Sequence, residues 1–575
     1  MNNNQTEDSL PSVPSLPKKV FIGVAWPYVN GNIHFGHLAG YLLPADFLAR
    51  FYRLTGAEVL MVSGSDCFGT PITIEADKRN MTPEEVVNEY HPKHEALFKE
   101  LNLSFDLYTK TDNPVHLRVV QDVFITLAKK GFIYTESSEQ YYSESENRFL
   151  PDRYVEGECP KCGDKEARSD QCDECGSVLS QGELINPVSK MTKQPVGMKT
   201  TEHYFFNWPK LNDFLKDYLK DKKAPWRDWV YNEAAQWLNE GLKPRAITRD
   251  LDWGVPIPKD RLPKELRIAG TDHKRIYVWF EAVIGYLSAS IKWSEEETGN
   301  SEKWKDFWYD QEAKHYYFAG KDNLVFHALF WPGQLHSYDE KLHLPDMPAI
   351  NQFLTLNDQA FSKSFGVTLD PKKMLLDFDL DLIRFYLCLI MPENKDSDFN
   401  WDDFIAKTNN LLIANLGNFI FRSLKLAQDL DLKETQADEK VVKLCEQTLI
   451  EAKQLMINCK FKAYGEKVLE LSAYANKYLS DTAPWQLRKT DPKAADKVLV
   501  GALTAVVTLN ILIAPLIPKT ADLLSTMLSL ETEEKRQWPK EGELQNIVKM
   551  IKIKEAEPLF KKIELKTEGF NEKYK

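Results

Sequence analysis

The sequence predicts an α/β domain on an open parallel sheet, interrupted by a cysteine-bearing insertion and followed by an all-α helical bundle. Three observations carry this. A strand–helix–strand pattern occupies residues 19–63, two CxxC pairs fall within residues 159–175, and the text beyond residue 404 is helical almost throughout. The length of 575 residues suits about three or four domains at ~150 residues each. The 73 basic and 85 acidic side chains leave a formal net charge of −12, and 43% of residues are hydrophobic. This balance excludes a collagen, a disordered tail protein and a small disulfide scaffold. Net acidity argues against indiscriminate coating of nucleic acid, while leaving room for a local basic face. No apolar run is read as reaching the ~20 residues of a membrane helix, and no membrane partner is expected. Residues 1–18 lack the apolar core of a secretory signal and are expected to form a disordered leader.

The first strand is KVFIGVA, residues 19–25, a β-branched apolar run ending in the turn-rich WPYVNGN. A helical pattern follows from His34, with Leu38, Leu42, Ala45, Leu48, Ala49 and Tyr52 on its apolar face and Gly56 as its stop. EVLMVS, residues 58–63, reads as the second strand, which completes one right-handed βαβ unit. Periodicity weakens over 131–245, which marks an inserted domain. Alternating α/β character returns at 246–366, residues 367–403 link, and 404–575 form the helical bundle and tail.

Cys159, Cys162, Cys172 and Cys175 stand as CxxC, nine residues, CxxC, each pair followed by a glycine. Each turn converges two thiolates, and four thiolates complete a closed tetrahedral shell for one structural Zn2+ per chain. The remaining cysteines, Cys67, Cys388, Cys445 and Cys459, are scattered. That usage suits a reducing compartment, and a cytoplasmic location is expected. His34 and His37 open the first helix three residues apart, on one face. A helix N-terminus offers N–H groups and a positive dipole end to phosphates, and Gly36 lets a flat ligand lie against the backbone. In an open parallel sheet, ligands gather at this end of the strands.

IHFGH resembles the HIGH box of class I aminoacyl-tRNA synthetases, and AFSKS at 360–364 resembles their KMSKS box. ITRDLDWGVPIP (247–258), YVWFEAVIGY (277–286), YFAGKDNLVFH (317–327) and NNLLIANLGNFIFR (409–422) resemble the methionyl-tRNA synthetases. The FSKS wording is similar to the archaeal and eukaryotic branch. The resemblance covers about 19–490 and implies a Rossmann-like catalytic domain with a zinc-binding insertion and a helical-bundle anticodon-binding domain. The catalytic halves would be 19–130 and 246–366, with 131–245 inserted and 367–403 contacting the stem.

The implied reaction activates L-methionine with ATP, Mg2+ accompanying the nucleotide, and then transfers methionine to the 3′-terminal ribose of methionine tRNAs. By resemblance, His34, Gly36 and His37 would face the ATP phosphates and Lys363 would hold the departing pyrophosphate. Ala25, Trp26, Tyr28, Asp66, Trp279, Ala282, Tyr286 and His327 would form the methionine pocket. Asp66 would receive the substrate ammonium, and the aromatic walls suit a thioether. Asn418, Arg422 and Trp485 would read the CAU anticodon, because an exposed indole beside amide and guanidinium donors stacks and pairs with splayed bases. A monomer is expected. Two positions depart from the family. Ala360 replaces the first KMSKS lysine, and Phe365 stands where arginine is frequent. Arg249 and Lys321 are candidates to compensate. Val283 and Phe68 also differ from the usual pocket residues. The alternatives are another class I synthetase, for cysteine, leucine, isoleucine or valine, or a non-catalytic tRNA-binding paralogue.

Overall fold

The computed structural model describes residues 16–575 except 152–153, 170–171, 173, 176–178, 180–181, 362–367, 433, 532–536 and 565–567. Most of the expected leader, together with Lys363 and Phe365, therefore lies outside the described residues. The central sheet has five parallel strands in the order Met347–Asn351, Lys314–Gly320, Lys19–Val24, Glu58–Ser65, Leu107–Lys110. Val20, Phe21, Ile22 and Val24 are buried, as a continuous apolar run must be when helices cover both faces of a parallel sheet. From Lys19–Val24 the chain first builds outward on one side, and much later returns to build on the other. The crevice between Lys19–Val24 and Lys314–Gly320 is the topological switch point, where such sheets bind ligands.

The first helix differs in detail from its sequence pattern. It runs as Phe35–His37, a wide turn of π-helix at Leu38–Leu42, then α-helix Leu43–Leu54, and Gly56 adopts φ +81° just beyond. A π turn inserts one residue into the helical register, and apolar periodicity is too coarse to reveal it. A second π turn, Phe326–Phe330, follows the strand Lys314–Gly320. Both wide turns flank the switch-point crevice.

Within 131–245, Ile133–Ser143, Arg148–Phe149, Gly197–Phe206 and Arg245–Ala246 make an antiparallel sheet. A smaller sheet of Val155–Glu158, Ala167–Arg168 and Ile185–Ser189 carries the cysteines. It has its own apolar core, in which Tyr141, Tyr154 and Val155 pack around Cys159 and Cys172. The C-terminal helices Glu439–Ile457, Phe461–Thr482 and Pro492–Ile513 pack together. Pro492–Ile513 corrects the reading that no apolar run reaches membrane-helix length. It is long and apolar enough, yet 89% of its apolar window is buried inside the molecule. It is apolar all round because other elements surround it, which is how a core helix reads.

The bundle is fastened to the sheet domain by a buried ion pair. Arg384 donates to Asp46 at 2.6 Å and to the Leu516 carbonyl at 2.7 Å. Burial pushes the Asp46 carboxyl up, but Arg384, Arg50 and Ser104 outweigh it and hold it below the usual carboxylate range. The chain end returns to the segment joining the two domains, where buried Tyr574 packs on Trp401 and donates to Asp377 at 2.9 Å.

Candidate active site

A cavity of about 310 Å³ opens at the switch point. Its walls come from the end of Lys19–Val24, the first helix, the turn after Glu58–Ser65, the 278–286 helices and the second π turn. Ala25, Trp26, Tyr28, Asp66, Trp279, Ala282, Tyr286 and His327 all line it, although they span 303 positions of sequence from 25 to 327. His34, Gly36 and His37 line it too. Glycines let the rings approach. A Cβ at Gly64 would meet the Trp26 ring at 2.1 Å, and one at Gly69 the Tyr28 ring at 2.1 Å.

Asp66 is buried and ends a short backbone pairing with Tyr28. Its Oδ1 accepts the Phe68 N–H at 3.2 Å. Burial and the neighbouring Glu281 push its carboxyl well above the usual range, against backbone N–H groups that lower it. A cation placed against Asp66 would relieve that strain by favouring the ionised form. His327 Nδ1–H donates to the Asn323 carbonyl at 2.8 Å, so its Nε2 accepts the Tyr286 hydroxyl at 2.7 Å. Burial holds the imidazole down to about 4, and it stays neutral at physiological pH. Trp279 stacks on Phe326 at 4.5 Å and meets Tyr28 edge-on. The result is an aromatic box with the buried Asp66 carboxyl in one wall and a hydroxyl–imidazole pair in another.

His34 and His37 cap the first helix for each other. His34 Nδ1 accepts the Gly36 N–H at 3.1 Å, and His37 Nδ1 accepts the His34 N–H at 3.1 Å. This is a capping box made of imidazoles. Because each Nδ1 accepts, each ring proton sits on Nε2, which becomes the donor edge. Phe361, from the AFSKS segment, stacks on His34 with centroids 5.3 Å apart. The same segment begins on a small sheet of Leu354–Leu356, Gln359–Ala360 and Ser397–Phe399.

The two candidate compensating cations are engaged elsewhere. Lys321 pairs with Asp396 at 2.8 Å. Arg249 lies over the Tyr277 ring at 4.0 Å, in a separate aromatic cavity that shares only Trp279 with the first. Val283 lines the first cavity, whereas Phe68 packs on Trp253. Tyr41, Asp322 and Gln352 also line it and were missed in the sequence. Asp322 sits in the quoted GKDN motif, so a signal existed. Tyr41 reads as one more apolar position of a helix, and only the π turn turns it inward.

In the insertion, the four cysteine sulfurs lie within 4.8 Å of one another, with Cys159–Cys175 at 3.9 Å and Cys162–Cys172 at 3.6 Å. A tetrahedral site with bonds of about 2.3 Å sets sulfurs about 3.8 Å apart, so the four thiolates fit one metal ion. In the bundle, Asn418 and Trp485 are exposed, and the Arg422 guanidinium lies 5.7 Å from the Trp485 ring. Ala483 at φ +40° turns the chain so that Trp485 starts a new helix facing outward.

A family model described as "tRNA synthetases class I (M)" matches residues 20–424, and one described as "Anticodon binding domain of methionyl tRNA ligase" matches 431–575. A methionine–tRNA ligase of Thermomicrobium roseum is 43% identical over 521 residues, covering 89% of this chain and 87% of that protein. One from Dehalococcoides mccartyi is 41% identical over 564 residues, covering 96% and 98%. Among solved structures, the Mycobacterium tuberculosis methionyl-tRNA synthetase in complex with methionyl-adenylate superposes with a TM-score of 0.74 at 22% identity, over 94% of this chain and 99% of that one. It shares the fold. With both family models spanning nearly the whole chain and relatives above 40% identity over 87% and 98% of their length, this chain belongs to the class I methionyl-tRNA synthetases.

Proposed function

We infer that the chain is an ATP-dependent methionine–tRNA ligase. One observation carries the reading: eight residues scattered from 25 to 327 converge on one aromatic cavity that holds a buried carboxyl and is bordered by the His34–His37 helix start. In the first step the methionine carboxylate attacks the α-phosphorus of ATP, and pyrophosphate leaves. Asp66 takes the substrate ammonium, and the rings of Trp26, Tyr28, Trp279 and Tyr286 hold the thioether. The Nε2–H edges of His34 and His37 donate to the phosphates, and Lys363 steadies the leaving pyrophosphate as charge develops. In the second step the 3′-terminal ribose of a methionine tRNA takes the methionyl group. Asn418, Arg422 and Trp485 serve the CAU anticodon by stacking and pairing.

The four-cysteine site takes Zn2+ as a closed structural shell, and Mg2+ enters with ATP. Residues 19–130 and 246–366 act as the catalytic halves around the 131–245 insertion, with 367–403 joining them to the 404–575 bundle. The working unit in this reading is a cytoplasmic monomer, which the free cysteines Cys67, Cys388, Cys445 and Cys459 suit. Pyrophosphate exchange with a panel of amino acids tests the reading. Methionine should drive exchange far above cysteine, leucine, isoleucine or valine. No exchange with any amino acid would favour a non-catalytic tRNA-binding paralogue.

A further inference from the structure

A line of buried polar groups lies against the methionine cavity. It begins at Trp26, whose ring centroid is 6.3 Å from that of His116. Ser288 Oγ lies 3.1 Å from the Gly285 carbonyl and 2.8 Å from His116 Nδ1, and its single hydrogen serves one of the two: given to the carbonyl, it leaves the oxygen to accept Nδ1–H. His116 Nε2 then faces Glu281 Oε2 at 2.7 Å. His116 and Glu281 are fully buried and Ser288 is nearly so.

Three proton placements fit that last contact: imidazolium with carboxylate, neutral imidazole donating Nε2–H to carboxylate while Ser288 donates to Nδ1, or neutral imidazole accepting from carboxylic acid. The second oxygen, Glu281 Oε1, is buried and has no hydrogen-bond partner among the described residues. A full carboxylate charge with one oxygen unpaired in a dry interior is costly, whereas an acid leaves only a neutral carbonyl oxygen unpaired. The surrounding charges point the same way. Asp66, from the end of Glu58–Ser65, is close enough for Glu281 to raise its carboxyl. Asp112, ahead of the helix Pro114–Lys129, faces His116 and is itself paired with Lys110 at 3.2 Å. Among the described residues no lysine or arginine is hydrogen-bonded or ion-paired to Glu281, His116 or Asp66. Burial pushes the Glu281 carboxyl well above its ordinary range and holds His116 down to about 3.

We propose that Glu281 is a positioning residue that works as a carboxylic acid, its proton donated to neutral His116, so that Asp66 is the carboxylate that meets the substrate ammonium. This rests on the reading of Asp66 given above. A charge on Glu281 would hold Asp66 protonated, and a protonated Asp66 meets the ammonium with no opposite charge. With Glu281 neutral, the incoming ammonium displaces only the Asp66 proton, which leaves to water.

Difference infrared spectroscopy of the whole protein tests it directly. At neutral pH the wild type should show a buried carboxylic-acid C=O band that Glu281→Gln lacks, and nitrogen NMR should show His116 as a neutral Nδ1–H imidazole. Kinetics form a second arm. Glu281→Leu removes the donor to Nε2. That nitrogen is then left buried without a partner, so His116 and the Trp26 ring beside it lose their fixed placement against the methionine cavity. KM for methionine should rise at least tenfold with kcat changed less. Glu281→Gln, whose amide N–H donates to Nε2, should restore KM and leave the acid limb of 1/KM where it was. An imidazolium or an Nε2–H tautomer at His116, the absence of the band, a silent Glu281→Leu, or an acid limb moved by about one pH unit or more in Glu281→Gln would overturn the proposal. Failure of the Asp66 reading looks different: the band and the neutral imidazole persist while an Asp66 variant keeps its methionine KM.

Discussion

His327 gives the cavity a fixed donor and acceptor pattern because burial removes its titration from the working pH range. Its imidazole is held to about 4 against an ordinary 6.5. A depressed histidine contributes stability that is complete above about pH 6.5 and is lost as pH falls toward 4. The difference in melting temperature between wild type and His327→Gln should therefore narrow as pH falls from 7 to 5, as followed by calorimetry. A constant difference would mean that His327 titrates alike in the folded and unfolded chain. Lys363 lies in the part of the AFSKS segment outside the described residues, and Ala360 supplies no second cation there. A charge-assisted phosphate contact contributes about 1.5–3 kcal/mol. Lys363→Ala should lower kcat for activation by about two decades with a smaller change in methionine KM, the pattern of an interaction made in the transition state. Rapid-quench adenylate formation at an unchanged rate would remove Lys363 from the mechanism. Individual residues were legible to very different degrees. The His34–His37 pair stands in a short motif whose spacing carries chemistry, whereas Asp66 was legible only through the family resemblance. The Glu281–His116 contact joins positions 165 apart, and no local pattern connects them.

At the scale of elements, the first strand–helix–strand crossover follows from apolar runs and a glycine stop, features that a sequence displays openly, whereas the order of the five strands depends on pairings far apart in the chain. The wide turns Leu38–Leu42 and Phe326–Phe330 show no such feature. Each moves the register by one residue, too little to disturb an apolar face, yet enough to turn Tyr41 and His327 toward the cavity. The cysteine element was legible for the opposite reason: its spacing is a direct record of ligand geometry. Its small core is separate from the main one, so a metal held by the four cysteines would supply order there that the main core does not. Cys172→Ser, or removal of metal by a chelator, should loosen residues 155–189 while leaving the cavity's groups in place. Hydrogen exchange should show protection lost there and kept in the central sheet. Loss spread evenly over both would show that the insertion and the sheet fold as one unit.

Across the whole molecule, the buried Asp46–Arg384 pair ties the joining segment to the sheet domain, and the returning C-terminal residues tie the chain end to that same segment. The bundle's exposed Trp485 and the cavity nonetheless share no residue. Stacking of a base on an aromatic ring contributes about 1–3 kcal/mol. Trp485→Ala should accordingly reduce aminoacylation of tRNA by roughly tenfold or more and leave pyrophosphate exchange nearly intact. Equal losses in both assays would make Trp485 part of the structural framework. This long-range organisation was legible only in outline. Composition separates helical text from α/β text, but the partners of Arg384 lie up to 338 positions away. Methionine activation is placed, in the function proposed above, in the cavity around Asp66. Methionine titration of pyrophosphate exchange, for wild type and Asp66→Asn, tests it most directly. Leaving the substrate ammonium without its buried partner costs about 2–5 kcal/mol, so KM for methionine should rise roughly thirtyfold or more in the variant, with kcat changed less. A variant that keeps the wild-type KM would contradict the account.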